Sequence, residues 1–174
     1  IAVGIMFIQQ FTGINTIIYY SPKIFLMSGF ADAQAAVWAS VSVGVVNVAF
    51  TILSLFLIDR LGRRKLYFIG LTGMVVALVA MGTCFALQAT LGDSIKWLTI
   101  SLVWVYIAFF AISLGPLGWL IISEVFPLKH RGIGSSIGAL SNWLFNGVVA
   151  FTFFKIVKGL TLPGSEIVLK GEDL

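Results

Sequence analysis

The chain has 174 residues, of which 59% are hydrophobic and only 10% are charged, with a net charge of +4 and a mean hydropathy of +1.05. Soluble domains carry about 25% charged residues, so this composition excludes a water-soluble globular fold, and the many large apolar residues exclude disorder. A single cysteine and a single histidine exclude a disulfide framework and a Cys/His metal cluster. The cations stand at a few fixed places rather than along a stripe, so no nucleic-acid partner is expected.

Five stretches of the chain contain no Asp, Glu, Lys or Arg, and they cover residues 1–22, 33–58, 66–92, 97–123 and 132–154. A hydrocarbon core of about 30 Å needs about 20 helical residues, so each stretch is long enough to cross a lipid bilayer, some with tilt. Their apolar residues run continuously instead of alternating, which favours helices over barrel strands. The sequence therefore predicts an all-α integral membrane protein with five transmembrane helices.

Both ends of the chain look cut. The sequence opens at Ile1 with no Met, no basic region and no small-residue cleavage site, which argues against a signal peptide. After Lys158 come turn residues and acids, and five spans leave the two termini on opposite sides of the membrane. We therefore expect residues 1–174 to form one transmembrane unit of a larger protein.

The loop charges predict the orientation of the spans. Residues 59–65 and 129–131 are rich in Lys, Arg and His, whereas the loops on the other side carry little charge. An excess of Lys and Arg in short loops marks the cytoplasmic side. Ile1 is therefore expected to start inside, although Lys155 and Lys158 at the outer end argue weakly against this.

Polar residues of the first span share one side of the predicted helix. At 3.6 residues per turn, Gln9, Gly13, Thr16 and Tyr20 fall within a narrow sector. The side chains of Gln10 and Asn15 flank that sector unless the helix loosens near Gly13.

The fourth span carries Pro116 deep in its uncharged run, with Gly115 beside it and Trp119 one turn later. Proline removes a backbone hydrogen bond and clashes with the preceding turn. A helix broken at membrane depth is tolerated where it faces protein or a water-filled cavity. The Gly115–Pro116 pair is therefore predicted to be a functional hinge, with a packing kink as the alternative.

Uncharged amides and indoles recur on four of the predicted spans. Amides at this depth are costly unless they find partners, and they supply donors and acceptors without a fixed charge. Sugar hydroxyls both donate and accept, and aromatic rings can cover the C–H face of a pyranose. We therefore predict a cavity for a neutral polyhydroxylated ligand, with hydrogen bonding between helices alone as the alternative for any one amide. The group comprises Gln9, Gln10, Asn15, Asn47, Trp119, Asn142 and Trp143.

An enzymatic reading finds little support. His130 lies in a basic loop, Cys84 lies alone in an apolar run, and no nucleophile–base pair is evident. We therefore expect no enzyme activity, no metal and no cofactor.

Charged residues gather at the two basic loops. Arg–carboxylate pairs between these loops would latch the inner ends of the helices together, and breaking the latch would let the bundle open to the cytoplasm. The alternative is that the arginines only determine topology. The residues are Asp59, Arg60, Arg63, Arg64, Glu124 and Arg131.

Five motifs in series carry a resemblance to a known family. They are QQFTGIN with YYSP within 9–22, DRLGRR at 59–64, GPLGW at 115–119, SEVFPLKHRG at 123–132 and NW at 142–143. In this order they resemble the C-terminal half, helices seven to eleven of twelve, of the sugar porters in the major facilitator superfamily. The resemblance implies a major-facilitator-type helical bundle. It would also explain the cut ends, because the N-terminal half and helix twelve would lie outside this chain.

The resemblance also implies roles for particular residues. Tyr19 and Tyr20 match the aromatic part of the outer gate, which we expect to act together with the Gly115–Pro116 hinge. The six charged residues of the basic loops match the cytoplasmic network that holds the outward-open state. Positions that match substrate-binding residues are Gln9, Gln10, Asn15, Asn47, Phe110, Trp119, Asn142 and Trp143.

The function implied by the resemblance is transport of a monosaccharide, a hexose or a pentose, across the cell membrane by alternating access. Animal facilitative carriers commonly have a Glu shortly before the Gly-Pro pair, where this chain has Ala111. The stretch AISLGPLGW is more similar to bacterial and plant proton-linked porters, which favours symport with protons as the coupling ion. A facilitative uniporter and a non-transporting sugar receptor on the same fold are the alternatives.

Overall fold

A computed structural model describes residues 1–27, 33–87 and 94–160, and every regular element within these ranges is helical. A short 3₁₀ turn, Leu128–His130, precedes the last helix. The predicted all-α class is therefore confirmed. The helices are α1 Ala2–Phe11, α2 Ile14–Met27, α3 Ala33–Leu61, α4 Arg63–Ala86, α5 Ser94–Ile112, α6 Leu114–Val125 and α7 Arg131–Leu160.

Four helical stretches of the described chain are long and apolar enough to cross a membrane. Helices α1 and α2 together form the first, α3 the second, α4 the third, and α5 with α6 the fourth. The fifth predicted span, 132–154, lies within α7, a helix of 30 residues. Part of α7 has side chains outside the described set, so the count of five spans stays a prediction.

The predicted span limits and the helix limits differ at the basic turn between α3 and α4. The spans were expected to end at residue 58 and resume at 66, yet α3 continues to Leu61 and α4 begins at Arg63. Only Gly62 separates the two helices, with a φ of +78° that favours glycine. Charged residues indicate where the hydrocarbon core ends rather than where a helix ends, because the backbone hydrogen bonds of a helix can continue into the headgroup region.

The first membrane-spanning stretch is broken between α1 and α2. The N–H of Thr12 still bonds to the Ile8 carbonyl, but the N–H of Gly13 bonds only three residues back, to Gln10, at 3.1 Å. Gly13 has a φ of +79°, in the left-handed region where other residues are strained. The helix therefore does loosen at Gly13, which changes the relative directions of the side chains before and after it.

The fourth stretch is also broken, but not at Pro116. The interruption lies at Ser113, whose N–H bonds to the Phe110 carbonyl at 3.1 Å. Pro116 lies in the first turn of α6, where a missing N–H is tolerated. Its ring would clash with the carbonyl of Ile112 in a continuous helix, so the break falls on the N-terminal side of the proline.

Helix α5 is the centre of the described bundle. Both α3 and α4 pack mainly against α5 and make fewer contacts with each other, whereas α1 packs mainly against α7. Tyr106 and Ile107 on α5 are wholly enclosed, as is Phe25 of α2. The core thus surrounds the segment that leads into the second break.

The outer faces of α3 and α4 are apolar and open. Only 17% of the membrane-crossing window of each helix is buried within the described bundle. Hydrocarbon solvates such faces as well as other side chains do, so their exposure is what a bilayer-embedded protein requires. The exposed side chains include Val37, Trp38, Val45, Phe56, Val76 and Val79.

Candidate functional site

Gln9 lies where the two helix breaks meet. The side chain is only 4% exposed, and its Nε2 donates to the Leu114 carbonyl at 3.1 Å and approaches the Gly115 carbonyl at 3.4 Å. Its Oε1 accepts a hydrogen bond from Nδ2 of Asn142 at 3.2 Å. Gln9 therefore joins α1 to α6 and α7, which is the interhelical role that the sequence left open as an alternative.

Gln10 and Asn15 form a second amide pair across the first break. The Nδ2 of Asn15 donates to Oε1 of Gln10 at 2.7 Å, a contact that the bend at Gly13 allows. Within the described residues, Nε2 of Gln10 and Oδ1 of Asn15 have no hydrogen-bond partner, yet neither is a fully enclosed atom. The pair thus presents a free donor and a free acceptor at a helix break, which is what a hydroxyl group can bind.

Two amides of α7 face the same region. Asn142 and Asn146 are one helical turn apart, and each is 8% exposed. Besides its bond to Gln9, Nδ2 of Asn142 lies 3.3 Å from Sδ of Met6. Asn146 is not among the positions matched to substrate-binding residues of the family, although its spacing of four from Asn142 puts both amides on one helix face.

Two of the predicted aromatic residues adjoin the second break. Phe110 is buried, and its ring lies against Gly115 in the first turn of α6. Trp119 directly follows Gly118, where an added Cβ would lie 3.4 Å from Oε1 of Gln9. Trp119 itself is 43% exposed.

The two remaining predicted ligands are not brought into the cluster by any described contact. Trp143 follows Asn142 in sequence but is 67% exposed. Asn47 of α3 is half-buried, and its side chain has no hydrogen bond within the described residues. The roles assigned to both residues stay predictions.

Tyr19 and Tyr20, which follow the first break, lie in different surroundings. The ring of Tyr20 packs against that of Phe153 on α7, with 5.2 Å between ring centroids. Tyr19 is exposed. The contact closes α2 onto α7 on the far side of Gly13, and the gating role of these residues stays a prediction.

One ion pair forms among the six residues of the predicted charge network. Nη2 of Arg63, at the start of α4, lies 2.8 Å from Oε1 of Glu124, near the end of α6. The other four members are exposed and form no ion pair within the described residues, and they are Asp59, Arg60, Arg64 and Arg131.

The apolar, membrane-spanning helices of this bundle define an integral, multi-pass membrane protein. Residues 1–171 match the family described as "Sugar (and other) transporter", and the chain belongs to that family. The predicted relation to sugar porters of the major facilitator superfamily is thereby confirmed.

Curated relatives carry transporter names. Putative polyol transporter 1 of Arabidopsis thaliana is 36% identical over 97% of this chain, and Sugar transport protein MST3 of Oryza sativa subsp. japonica is 43% identical over 90%. Facilitated trehalose transporter Tret1 of Bombyx mori is 36% identical over 95% of the chain. The chain spans only about a third of these relatives, 34%, 31% and 33% of their lengths respectively.

Solved structures of the proton:xylose symporter XylE share the fold. The complex of XylE with 6-bromo-6-deoxy-D-glucose has a TM-score of 0.78 and 35% identity, covering 91% of this chain and 32% of that one. The inward-open structure of XylE from E. coli has a TM-score of 0.71 and 34% identity, covering 87% of this chain and 31% of that one.

Proposed function

We propose that this chain is the C-terminal half of a transporter that carries a monosaccharide, a hexose or a pentose, across the cell membrane by alternating access. The observation that carries the proposal is the Gln10–Asn15 pair at a helix break, in which Nε2 of Gln10 and Oδ1 of Asn15 have no hydrogen-bond partner within the described residues. A sugar hydroxyl can accept from the first atom and donate to the second. A charged substrate would need a counter-charge, and the stretches that hold these amides contain none.

The position of the pair supports transport rather than static binding. Broken helices at membrane depth can bend, and transporters place their substrate sites at such breaks. Trp119, which follows the second break and is 43% exposed, can cover the apolar side of a sugar ring. Neighbouring amides on α1, α2 and α7 would then contribute the polar contacts from this half.

Proton coupling is the favoured mode of energy supply. XylE is described as a proton:xylose symporter, and this chain has Ala111 where facilitative animal carriers commonly have Glu. The five uncharged stretches hold no Asp or Glu, so the carboxylate that carries the proton would belong to the N-terminal half. Facilitated diffusion is the second candidate, because Tret1 is named a facilitated transporter.

Uptake by the full-length protein in proteoliposomes tests both parts of the proposal. We expect accumulation of radiolabelled D-xylose or D-glucose driven by an imposed pH gradient and abolished by a protonophore. Equilibrative uptake that ignores the pH gradient would support a uniporter, and saturable binding without flux would support a receptor. Uptake of a linear polyol in preference to either sugar would contradict the monosaccharide assignment, and the names of the polyol relatives make that comparison necessary.

Two variants test the site itself. Gln10→Ala and Trp119→Ala are expected to weaken sugar binding about fivefold to tenfold, since each removes a polar or stacking contact worth about 1 kcal/mol. Trp38→Ala is the matched control, because Trp38 projects from the outer face of α3 with 72% of its surface exposed. Wild-type affinity in both site variants would mean that the amide cluster only holds helices together.

A further inference from the structure

The two helix breaks are bound to each other by side chains that run in opposite directions. From α5, the hydroxyl of Tyr106 donates to the Thr12 carbonyl at the first break, at 2.8 Å. From α1, Nε2 of Gln9 donates to the Leu114 carbonyl at the second break, at 3.1 Å. Each donor residue precedes the break in its own membrane-spanning stretch, and its side chain bonds to a backbone carbonyl at the break in the other stretch.

The Thr12 carbonyl needs the Tyr106 hydroxyl. In a continuous helix this carbonyl would accept from the N–H four residues later, but the backbone bonds resume with Ile17 to Gly13, and none reaches Thr12. An unpaired carbonyl away from water is as costly as a lost hydrogen bond. The tyrosine therefore supplies the partner that the bend at Gly13 removes.

The Tyr106 side chain cannot move with the first break unless α5 moves as well. Its side chain is wholly enclosed, with no exposed surface, within the core that includes Val103, Ile107 and Phe110. Bending at Gly13 without a matching shift of α5 would leave the enclosed Tyr106 hydroxyl and the half-buried Thr12 carbonyl both unpaired. The enclosed ring thus ties the first break to α5, the helix that ends at the second break.

We propose that Tyr106 is a positioning residue that couples bending at Gly13 to bending at Ser113, so that the two breaks change shape together during transport. The inference rests on the proposed transport function. Tyr106 acts through the Thr12 carbonyl, which adjoins Gly13 and thereby sets how Gln10 and Asn15 face each other. Tyr106 could not be singled out from the sequence, because a tyrosine within an apolar run carries no signal of a distant backbone partner.

Tyr106→Phe in the full-length protein removes the hydroxyl and keeps the ring. The maximal rate of D-xylose transport is expected to fall about fivefold to tenfold, the factor that one buried hydrogen bond represents, while KM changes less than about twofold. Tyr67→Phe is the matched control, since Tyr67 of α4 packs against the same core and its hydroxyl has no hydrogen bond within the described residues. A rate for Tyr106→Phe equal to that of the control would overturn the proposal.

Hydrogen–deuterium exchange provides a readout that a merely structural role would not move. In the wild type, D-xylose should slow exchange at residues 9–17 and 109–117 together, whereas in Tyr106→Phe it should slow exchange at only one of them. Joint protection in the variant would contradict the coupling even if the rate fell.

If the wild type neither binds nor carries a sugar, the proposed function fails. Faster exchange at 12–17 in the ligand-free variant than in ligand-free wild type would still support the link between the first break and α5, and equal exchange would refute it.

Discussion

The first helix break has open space around a glycine with a positive φ, whereas the second is closely packed against a neighbouring helix. Gly13 has a φ of +79°, and no other group lies within 4 Å of the place where its Cβ would be. At the second break Ser113 has a negative φ of −126°, and its side chain is wholly enclosed against Gly70 of α4.

This difference determines what each break can tolerate. Around Gly13 there is space for a side chain, but the positive φ disfavours one. Around Ser113 the φ is negative, but there is no space for an added group on the facing Gly70. Substitutions that add a single methyl group at or next to each break should therefore distinguish conformational strain from steric overlap.

Gly70→Ala is expected to cause the largest loss of stability. The added Cβ would overlap both side-chain atoms of Ser113, so rotation of the hydroxyl alone cannot relieve the clash and the backbones must separate. We expect the free energy of unfolding in detergent to fall by about 3 kcal/mol. Gly82→Ala, on the same helix with nothing within 4 Å of the new Cβ, should be neutral, and equal losses in the two variants would contradict the close-packed second break.

Gly13→Ala should cost less, about 1–2 kcal/mol of unfolding free energy, because only the left-handed conformation is penalised. Gly13→Asn should recover part of that loss, since asparagine adopts this conformation more readily. Gly4→Ala in α1 is the control, with open space around its Cβ position and no positive φ. Thermal unfolding of the three variants makes the comparison. If Gly13→Ala were as stable as Gly4→Ala, the first break would not depend on glycine.

Asn142→Ala tests the amide contact that spans α1 and α7. Hydrogen bonds between membrane helices are worth about 0.6 kcal/mol on average, so we expect a loss of about 1 kcal/mol at most. A double-mutant cycle with Gln9→Ala should show that the two losses do not add, because both remove the same 3.2 Å bond. Strictly additive losses would mean that the two amides do not interact.

Glu124→Gln should have the smallest effect on stability, less than about 0.5 kcal/mol, because the Arg63–Glu124 pair is exposed. The wild-type advantage should also shrink further as salt is added. Unfolding measured at low and high ionic strength checks both statements. A loss as large as that of Gly70→Ala would show that the pair is buried in the assembled protein.

The spans and the amide positions could be predicted because they depend on local constraints. Hydrocarbon thickness fixes how long an uncharged helix must be, and a Gln or Asn at that depth stands out in any sequence. The helix ends were less predictable. Residues 59–61 and 63–65 are helical because the ladder does not stop where the charges begin.

The contacts of the site could not be predicted because they depend on distant partners. Gln9 and Leu114 are separated by 105 positions, and nothing near either residue specifies the other. The sequence pointed to Pro116 as the interruption, but the break lies at Ser113, where the ring would otherwise meet the Ile112 carbonyl. Tyr106 looked like one more aromatic residue in an apolar run until its hydroxyl partner was located.

The way α3 and α4 pack has a consequence for how the protein is made. The two helices are joined by Gly62 alone, yet both lean mainly on α5, which the ribosome produces later. The α3–α4 hairpin is therefore expected to enter the bilayer before α5, with lipid tails covering its apolar sides in the meantime. Its arms gain their permanent neighbour only when the following span has left the translocon.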